Sequence, residues 1–251
     1  MNYIYVFLFV LLSYLIGSIP IGLIVGKISK GIDIRDYGSK NIGTTNAVRV
    51  LGVKLGLLVF LGDFLKGTIV IWTLQILQRT TSFDMIDINN LNISVFYGLG
   101  AIIGHMFPLF AGFKGGKAVA TGVGVIFAIN PLCGFLALLT FGLILLLTGY
   151  SSLSSILAAI SALLFLVFNI MITEANESEA WFRNSLSLAF TSLMVLLIII
   201  RHKANIMRLI KRTEKRFNIG LGKHFNNKKE KVIIKKDGVV TTFIPKNNSI
   251  T

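Results

Sequence analysis

Three short polar strings in this chain carry the residue types that hold and activate an anion: Gly38 to Arg49, Gly112 to Lys117 and Arg201 to Arg208. Each stands at the end of a membrane-length apolar run. Lys and Arg beside a bilayer are costly unless solvated or paired, and glycines let backbone N–H groups approach a ligand closely. The pattern therefore points to an anion pocket at a membrane surface.

In the first string, Gly38 and Gly43 free the backbone, while Ser39, Asn41, Thr45, Asn46 and Arg49 supply directed donors for a phosphate. The same residues also suit a turn followed by a helix, with Thr45 or Asn46 as N-cap ahead of Ala47 to Leu51, and both readings stand. The second string, Gly112, Phe113, Lys114, Gly115, Gly116, Lys117, leads into the apolar run Ala118 to Val125. Lys117 then sits where a helix begins with unpaired N–H groups, an anion site by construction. The spacing is not that of a P-loop. Read blandly, Lys114 and Lys117 only mark a cytoplasmic loop, but the glycine pair favours a site. In the third string His202, Asn205 and Arg208 recur every three residues along one helical face. A basic amphipathic helix lying on anionic lipid is the competing account of that stretch.

Other polar residues inside apolar runs read as structural. His105, three residues before Pro108, is expected to be a buried neutral imidazole. Asp63 and Lys66 share a helix face, neutralise each other and brace the site. Cys133 is a lone cysteine in an apolar run, which excludes an intramolecular disulfide and a cysteine metal cluster.

The elements that must position these residues follow from composition. With 54% hydrophobic residues in 251 and a mean hydropathy of +0.76, the chain is expected to be an all-α integral membrane protein. Apolar runs place about seven transmembrane helices near Tyr3 to Ile28, Leu55 to Leu77, Ile93 to Ala111, Ala118 to Ile129, Leu132 to Thr148, Leu153 to Ile172 and Leu186 to Ile200. The fourth is shortest, contains Gly122 and Gly124, and ends at Asn130 and Pro131, so a tilted or re-entrant helix is an alternative and would leave six spans. The first run lacks a signal-peptide cleavage pattern and is read as retained.

Charge sets the expected orientation. There are 25 Lys and Arg against 11 Asp and Glu, and the basic excess gathers in Lys27 to Lys54, the Lys114 and Lys117 loop and the tail. Asp84, Asp87, Glu174, Glu177 and Glu179 lie in the alternate loops. The N-terminus is thus expected outside, the C-terminus in the cytoplasm, and all three strings on the cytoplasmic side. Residues 1–213 form the membrane domain and 214–251 a basic cytoplasmic tail, with Lys228, Lys229 and Lys231 towards anionic lipid and a small hairpin from Val232 to Phe243 around Asp237 and Gly238. Nucleic acid is excluded as a partner, because nearly all the Phe residues lie inside apolar runs rather than among the basic ones.

Together the strings resemble the PlsY family, polytopic bacterial glycerol-3-phosphate acyltransferases that use acyl-phosphate as donor. The family pattern Gly-Ser-x-Asn-x-Gly-x-Thr-Asn-x-x-Arg is met by Gly38, Ser39, Asn41, Gly43, Thr45, Asn46 and Arg49. Gly-His-x-x-Pro with a Gly-Gly-Lys loop is met by Gly104, His105, Pro108, Gly115, Gly116 and Lys117. His-x-x-Asn-Ile-x-Arg-Leu is met by His202, Asn205, Ile206, Arg208 and Leu209. Lys40, Thr44, Ala118, Gly149 and Arg212 depart from residues usual in the family, where Gly, Ala, Gly, Arg and Gly stand.

The resemblance implies that the sn-1 hydroxyl of glycerol 3-phosphate attacks an acyl-phosphate carbonyl, giving lysophosphatidic acid and phosphate in the first step of phospholipid synthesis. It assigns Ser39, Arg49, Lys117, His202 and Asn205 to the reacting groups. Asn41, Gly43, Thr45, Asn46, Gly115, Gly116, Ser152 and Arg208 go to substrate phosphates. A substrate phosphate takes the hydroxyl proton, with His202 as general base the variant of that scheme. No cofactor or metal is called for. Glycerol 3-phosphate, acyl-phosphate and membrane lipids are the expected partners, with the soluble enzyme that makes acyl-phosphate a further candidate, and the bacterial cytoplasmic (inner) membrane is the expected location. Residue chemistry agrees with direct transfer: no serine lies in a nucleophile elbow, and Phe110 and Met207 stand where a His-x4-Asp pair needs aspartate. A membrane transporter of an organic phosphate uses similar cations but favours a site at the bilayer midplane and paired halves. A metal-dependent phosphoalcohol transferase needs clustered aspartates that the basic loops lack.

Overall fold

The computed structural model describes residues 3–80, 87–88, 91–173, 180–217, 232–236 and 239–243. Among these, ten α-helices build one bundle. The first apolar run breaks into α1 (Tyr3–Gly17) and α2 (Ile21–Lys30) at Pro20, which cannot donate to the helix ladder. At the break the Ile19 carbonyl accepts from Ile21 N–H at 3.0 Å and from Lys66 Nζ at 3.2 Å. Next come α3 (Thr44–Leu51), α4 (Val53–Thr80), α5 (Ser94–Met106), α6 (Val119–Ile129), α7 (Pro131–Thr148), α8 (Ser151–Thr173), α9 (Ala180–Arg201) and α10 (Lys203–Ile210). Short antiparallel pairs are β1 (Asp87–Ile88) with β2 (Leu91–Asn92), and β3 (Val232–Lys236) with β4 (Val239–Phe243). The second pair is the tail hairpin expected from the sequence. Its turn residues Asp237 and Gly238 lie outside the described residues, as do Asp84, Glu174, Glu177, Glu179, Lys228, Lys229 and Lys231.

Among the described residues, six segments are long and apolar enough to cross a bilayer. The fourth apolar run yields only the 11 residues of α6, about 16 Å of helix against a hydrocarbon core of about 30 Å. Lys117 before α6 and Ser152 after α7 line one cavity, so α6 leaves that end of the bundle and α7 returns.

Close packing fixes where α6 begins. A Cβ on Gly67 of α4 would lie 2.2 Å from the Thr121 carbonyl oxygen, and one on Gly124 of α6 would lie 2.2 Å from that of Phe64. The two backbones touch, as small residues allow where helices pack without a hydrophobic driving force. At the far end Gln75 Nε2 donates to the Ala128 carbonyl and Asn130 Nδ2 to Asn169 Oδ1. Asn130 also caps α7 through Cys133 N–H, with Pro131 in the first turn. The main core runs between α4, α5, α6, α8 and α9, while Leu139, Leu143, Leu146 and Leu147 of α7 point outward as a lipid-facing stripe.

Candidate functional site

All three polar strings open onto one cavity of about 570 Å³. Its polar part contains Ser39, Thr45, Arg49, Lys117, Ser152, Arg201, His202, Asn205 and Arg208, and its apolar flank contains Phe60, Val119, Val123, Leu138 and Phe141.

The first string forms a loop ahead of α3. Asn46 is buried, accepts from Ser39 N–H at 2.7 Å, and donates through Nδ2 to the carbonyls of Ile34 and Asn41 at 2.8 and 2.7 Å. Asn41 Oδ1 accepts from Gly43 N–H at 2.9 Å. Both residues line the cavity and also hold the loop: backbone groups saturate the Asn46 side chain, and the Asn41 carbonyl oxygen closes a local turn. Thr45 and Arg49, one helical turn apart, line the cavity, and Gly43 caps α3 without a side-chain bond.

Lys40 adopts φ +59° and Ala118 φ +55°, left-handed conformations that glycine takes without cost. Arg212 does the same at φ +55°. These are the three positions where the resemblance leads one to expect glycine. Lys40 is exposed, so Lys40→Gly loses no packing. Relief of the left-handed penalty, less glycine's greater unfolded freedom, is expected to stabilise the fold by about 0.5–1 kcal/mol. Thermal unfolding in detergent should show a rise of about 2 °C.

In the second string, Gly115 and Gly116 pass between His105 and Arg201. Gly116 N–H donates to the His105 carbonyl at 3.1 Å. Arg201 donates through Nη2 to the Gly115 and Gly116 carbonyls at 3.3 and 2.8 Å and through Nε to Gly116 at 3.2 Å. Lys117 Nζ then donates to Asn205 Oδ1. Burial, opposed by the Glu214 carboxylate and reinforced by the charges of Arg208, Arg201 and Arg49, brings the Lys117 ammonium down to about 8. Ala118 makes no side-chain cap to α6, whose N-terminus forms the cavity floor.

Below this loop Lys66 Nζ pairs with Asp63 Oδ1 at 2.7 Å, and His105 Nδ1 lies 3.5 Å from the same oxygen. All three side chains are buried. The third string straddles the junction of α9 and α10. His202 is buried, with Nδ1 and the Ile198 carbonyl 2.8 Å apart; the carbonyl can only accept, so Nδ1 carries the proton and Nε2 is left as an acceptor. Burial, then the Lys117 charge, holds this imidazole down to about 4, so it is neutral near pH 7.

One residue here was not legible. Glu214 accepts from Ser152 Oγ at 2.8 Å, Asn205 Nδ2 at 2.6 Å and Arg208 Nε at 2.6 Å. Burial raises its pKa, yet the bonds from Asn205, Arg208 and Ser152 outweigh this and keep it below the usual carboxylate range. By taking the Asn205 amide, Glu214 turns the Asn205 oxygen towards Lys117. The chain stays against the bundle through Phe217, whose N–H meets the Gly149 carbonyl at 2.6 Å, beyond the boundary expected at residue 213. The available signal was that Glu214 is the sole acidic residue between Glu179 and Glu230, among many cations.

Among the described residues no three His, Cys, Asp or Glu side chains converge to hold a metal ion. The cations that line the cavity are Lys40, Arg49, Lys117, Arg201, Arg208 and Lys215. Such a site suits phosphate groups beside an apolar tail.

The model of the glycerol-3-phosphate acyltransferase family matches residues 7–212. The chain is 40% identical over 219 residues to the glycerol-3-phosphate acyltransferase of Acholeplasma laidlawii, covering 85% of this chain and 94% of that protein. It is 44% identical over 208 residues to the one of Bacillus subtilis strain 168, covering 82% and 95%. Among solved structures, PlsY, an integral membrane glycerol 3-phosphate acyltransferase, aligns in its glycerol 3-phosphate form with a TM-score of 0.70 and 40% identity, over 85% of this chain and 96% of that one. Its lysophosphatidic acid form aligns with a TM-score of 0.69 and 39% identity.

Proposed function

This chain belongs to the glycerol-3-phosphate acyltransferase family, and from that premise we propose that it moves an acyl group from acyl-phosphate to the sn-1 hydroxyl of glycerol 3-phosphate, giving lysophosphatidic acid and phosphate. The observation that carries this reading is the convergence of all three strings on one cavity, cationic on one side and apolar on the other. Two phosphates are held by cations there, while the acyl chain lies along the apolar flank.

In the proposed step the substrate hydroxyl oxygen bonds to the acyl carbon, the bond from that carbon to the phosphate oxygen breaks, and the departing phosphate accepts the hydroxyl proton. Arg49, Lys117 and Arg208 neutralise the two phosphates and the charge that grows on the leaving group. His202, neutral with Nε2 open, accepts a hydrogen bond from the hydroxyl and orients it; at about 4 its basicity is too low to store the proton. Ser39 and Ser152 donate to phosphate oxygens. The site faces the cytoplasm of a bacterial inner membrane, N-terminus outside, and a soluble acyl-phosphate-forming enzyme supplies the donor. The basic tail beyond Phe217 meets anionic lipid.

Purified protein given acyl-phosphate and glycerol 3-phosphate is expected to release equimolar phosphate and lysophosphatidic acid, and none from acyl-CoA. Equal turnover with acyl-CoA overturns the donor assignment. A cysteine at exposed Gly31 should react with an impermeant maleimide only after the membrane is opened. Labelling in intact cells would reverse the orientation.

The free enzyme should lose kcat/KM on the alkaline side with an apparent pKa of about 8, because Lys117 is cationic below that value and neutral above it. Bound phosphate raises the Lys117 pKa, so the limb in kcat lies at higher pH. In Lys117→Arg, whose guanidinium stays charged, the limb should vanish from whatever activity remains. An unmoved limb in that variant assigns the ionisation elsewhere.

A further inference from the structure

We propose that Arg201 is a positioning residue that acts on catalysis through Lys117, by fixing the two-glycine loop ahead of it rather than by lending its charge to a substrate. This rests on the reading of Lys117 as the cation that faces phosphate.

The Gly115, Gly116 loop is gripped on both sides. On one, His105 accepts from Gly116 N–H, and its carbonyl and ring press so close that a Cβ on Gly115 would sit 2.2 Å from the His105 oxygen and one on Gly116 would sit 2.0 Å from His105 Nε2. On the other, the Nε and Nη2 edge of Arg201 meets the two successive carbonyls. The guanidinium lies over the Phe107 ring, 5.5 Å from its centroid, which holds the fork in place. A planar two-donor edge is what two adjacent carbonyls require, and a lysine ammonium cannot reproduce it.

With the N–H and carbonyl groups of Gly116 both held, the Lys117 side chain reaches Asn205. The left-handed turn at Ala118 then starts α6 directly beneath it. Positioning of this kind matters because small displacements of a catalytic charge cost far more in rate than in binding.

The test is a double-mutant cycle of Arg201→Lys and Lys117→Ala, with kcat and KM measured for both substrates on protein that elutes as a single folded species in detergent. In the parent background Arg201→Lys is expected to lower kcat at least 10-fold while KM for each substrate changes less than 3-fold. In the Lys117→Ala background the same substitution should change kcat less than 2-fold, because the group it positions is gone. Equal losses in both backgrounds overturn the proposal, since Arg201 then acts on substrate or stability independently of Lys117. Parent-like activity in Arg201→Lys overturns it as well, because charge alone then suffices. If Lys117→Ala itself is fully active, the site assignment fails first, and that outcome is visible before Arg201 is considered.

Discussion

Lys117→Ala is expected to lower kcat/KM by about 100-fold or more, with folded yield and thermal stability near those of the parent. The placement of this ammonium is fixed by three separate devices: the glycine loop, the Asn205 acceptor and the N-terminus of α6. A hydrogen bond to a charged partner contributes roughly 1.5 to 3 kcal/mol. In a recessed, partly dehydrated cavity where charge moves onto a leaving phosphate, most of this acts in the transition state, and about 3 kcal/mol is roughly two orders of magnitude in rate. Stability should change little because Lys117 ends at the cavity rather than in the core, and removing a cation also relieves repulsion from Arg208, Arg201 and Arg49. Steady-state kinetics with both substrates, after a gel-filtration check, decide the matter. A folded variant within 3-fold of the parent reduces the second string to a topology signal and removes the basis of the assigned activity.

Where side chains end up was legible only in part. The strings stand out because polar residues among apolar ones have few explanations other than a site, and an alternating loop order places them at one end of the bundle. Residues that saturate their own backbone were not separable from residues that face a ligand. Asn46 and Thr45 are neighbours in sequence and both line the cavity, yet the Asn46 amide is tied to the backbone of Ile34 and Asn41. Glu214 was hidden for a related reason. A lone carboxylate after a basic helix reads as the start of a soluble tail, and only the return of the chain past Gly149 brings it to Ser152, Asn205 and Arg208. The brevity of α6 could be suspected from Asn130 and Pro131, but its backbone contact with α4 depends on Gly67 and Gly124 meeting across 57 residues of chain, which no local pattern encodes. The left-handed turns at Lys40, Ala118 and Arg212 have no signature of their own, since the residues present give no hint of φ.

Alanine in place of either loop glycine is expected to abolish at least 99% of activity, but only one of the two losses should be repairable from His105. At Gly115 a Cβ would lie 2.2 Å from the His105 carbonyl oxygen, 2.5 Å from that of Met106 and 2.5 Å from Pro108 Cδ, so two of the three obstacles are backbone. The loop itself must move, and Lys117 moves with it. At Gly116 the nearest atoms are all in the His105 ring, Nε2 at 2.0 Å, Cδ2 at 2.9 Å and Cε1 at 3.0 Å. Overpacking a tight site costs about 1–3 kcal/mol even where neighbours can yield, and here the neighbour is held by burial beside Asp63. Truncating the ring by His105→Ala opens that space, while Asp63 keeps its ion pair with Lys66. On its own His105→Ala should therefore lose only a few-fold, and His105→Gln still less. Combined with Gly116→Ala it should recover at least 10-fold over Gly116→Ala, whereas combined with Gly115→Ala it should recover nothing, because the His105 carbonyl remains where it was. Rescue of both glycine variants, or of neither, would mean that the ring is not what excludes a side chain at Gly116 and that the glycines serve flexibility rather than close approach.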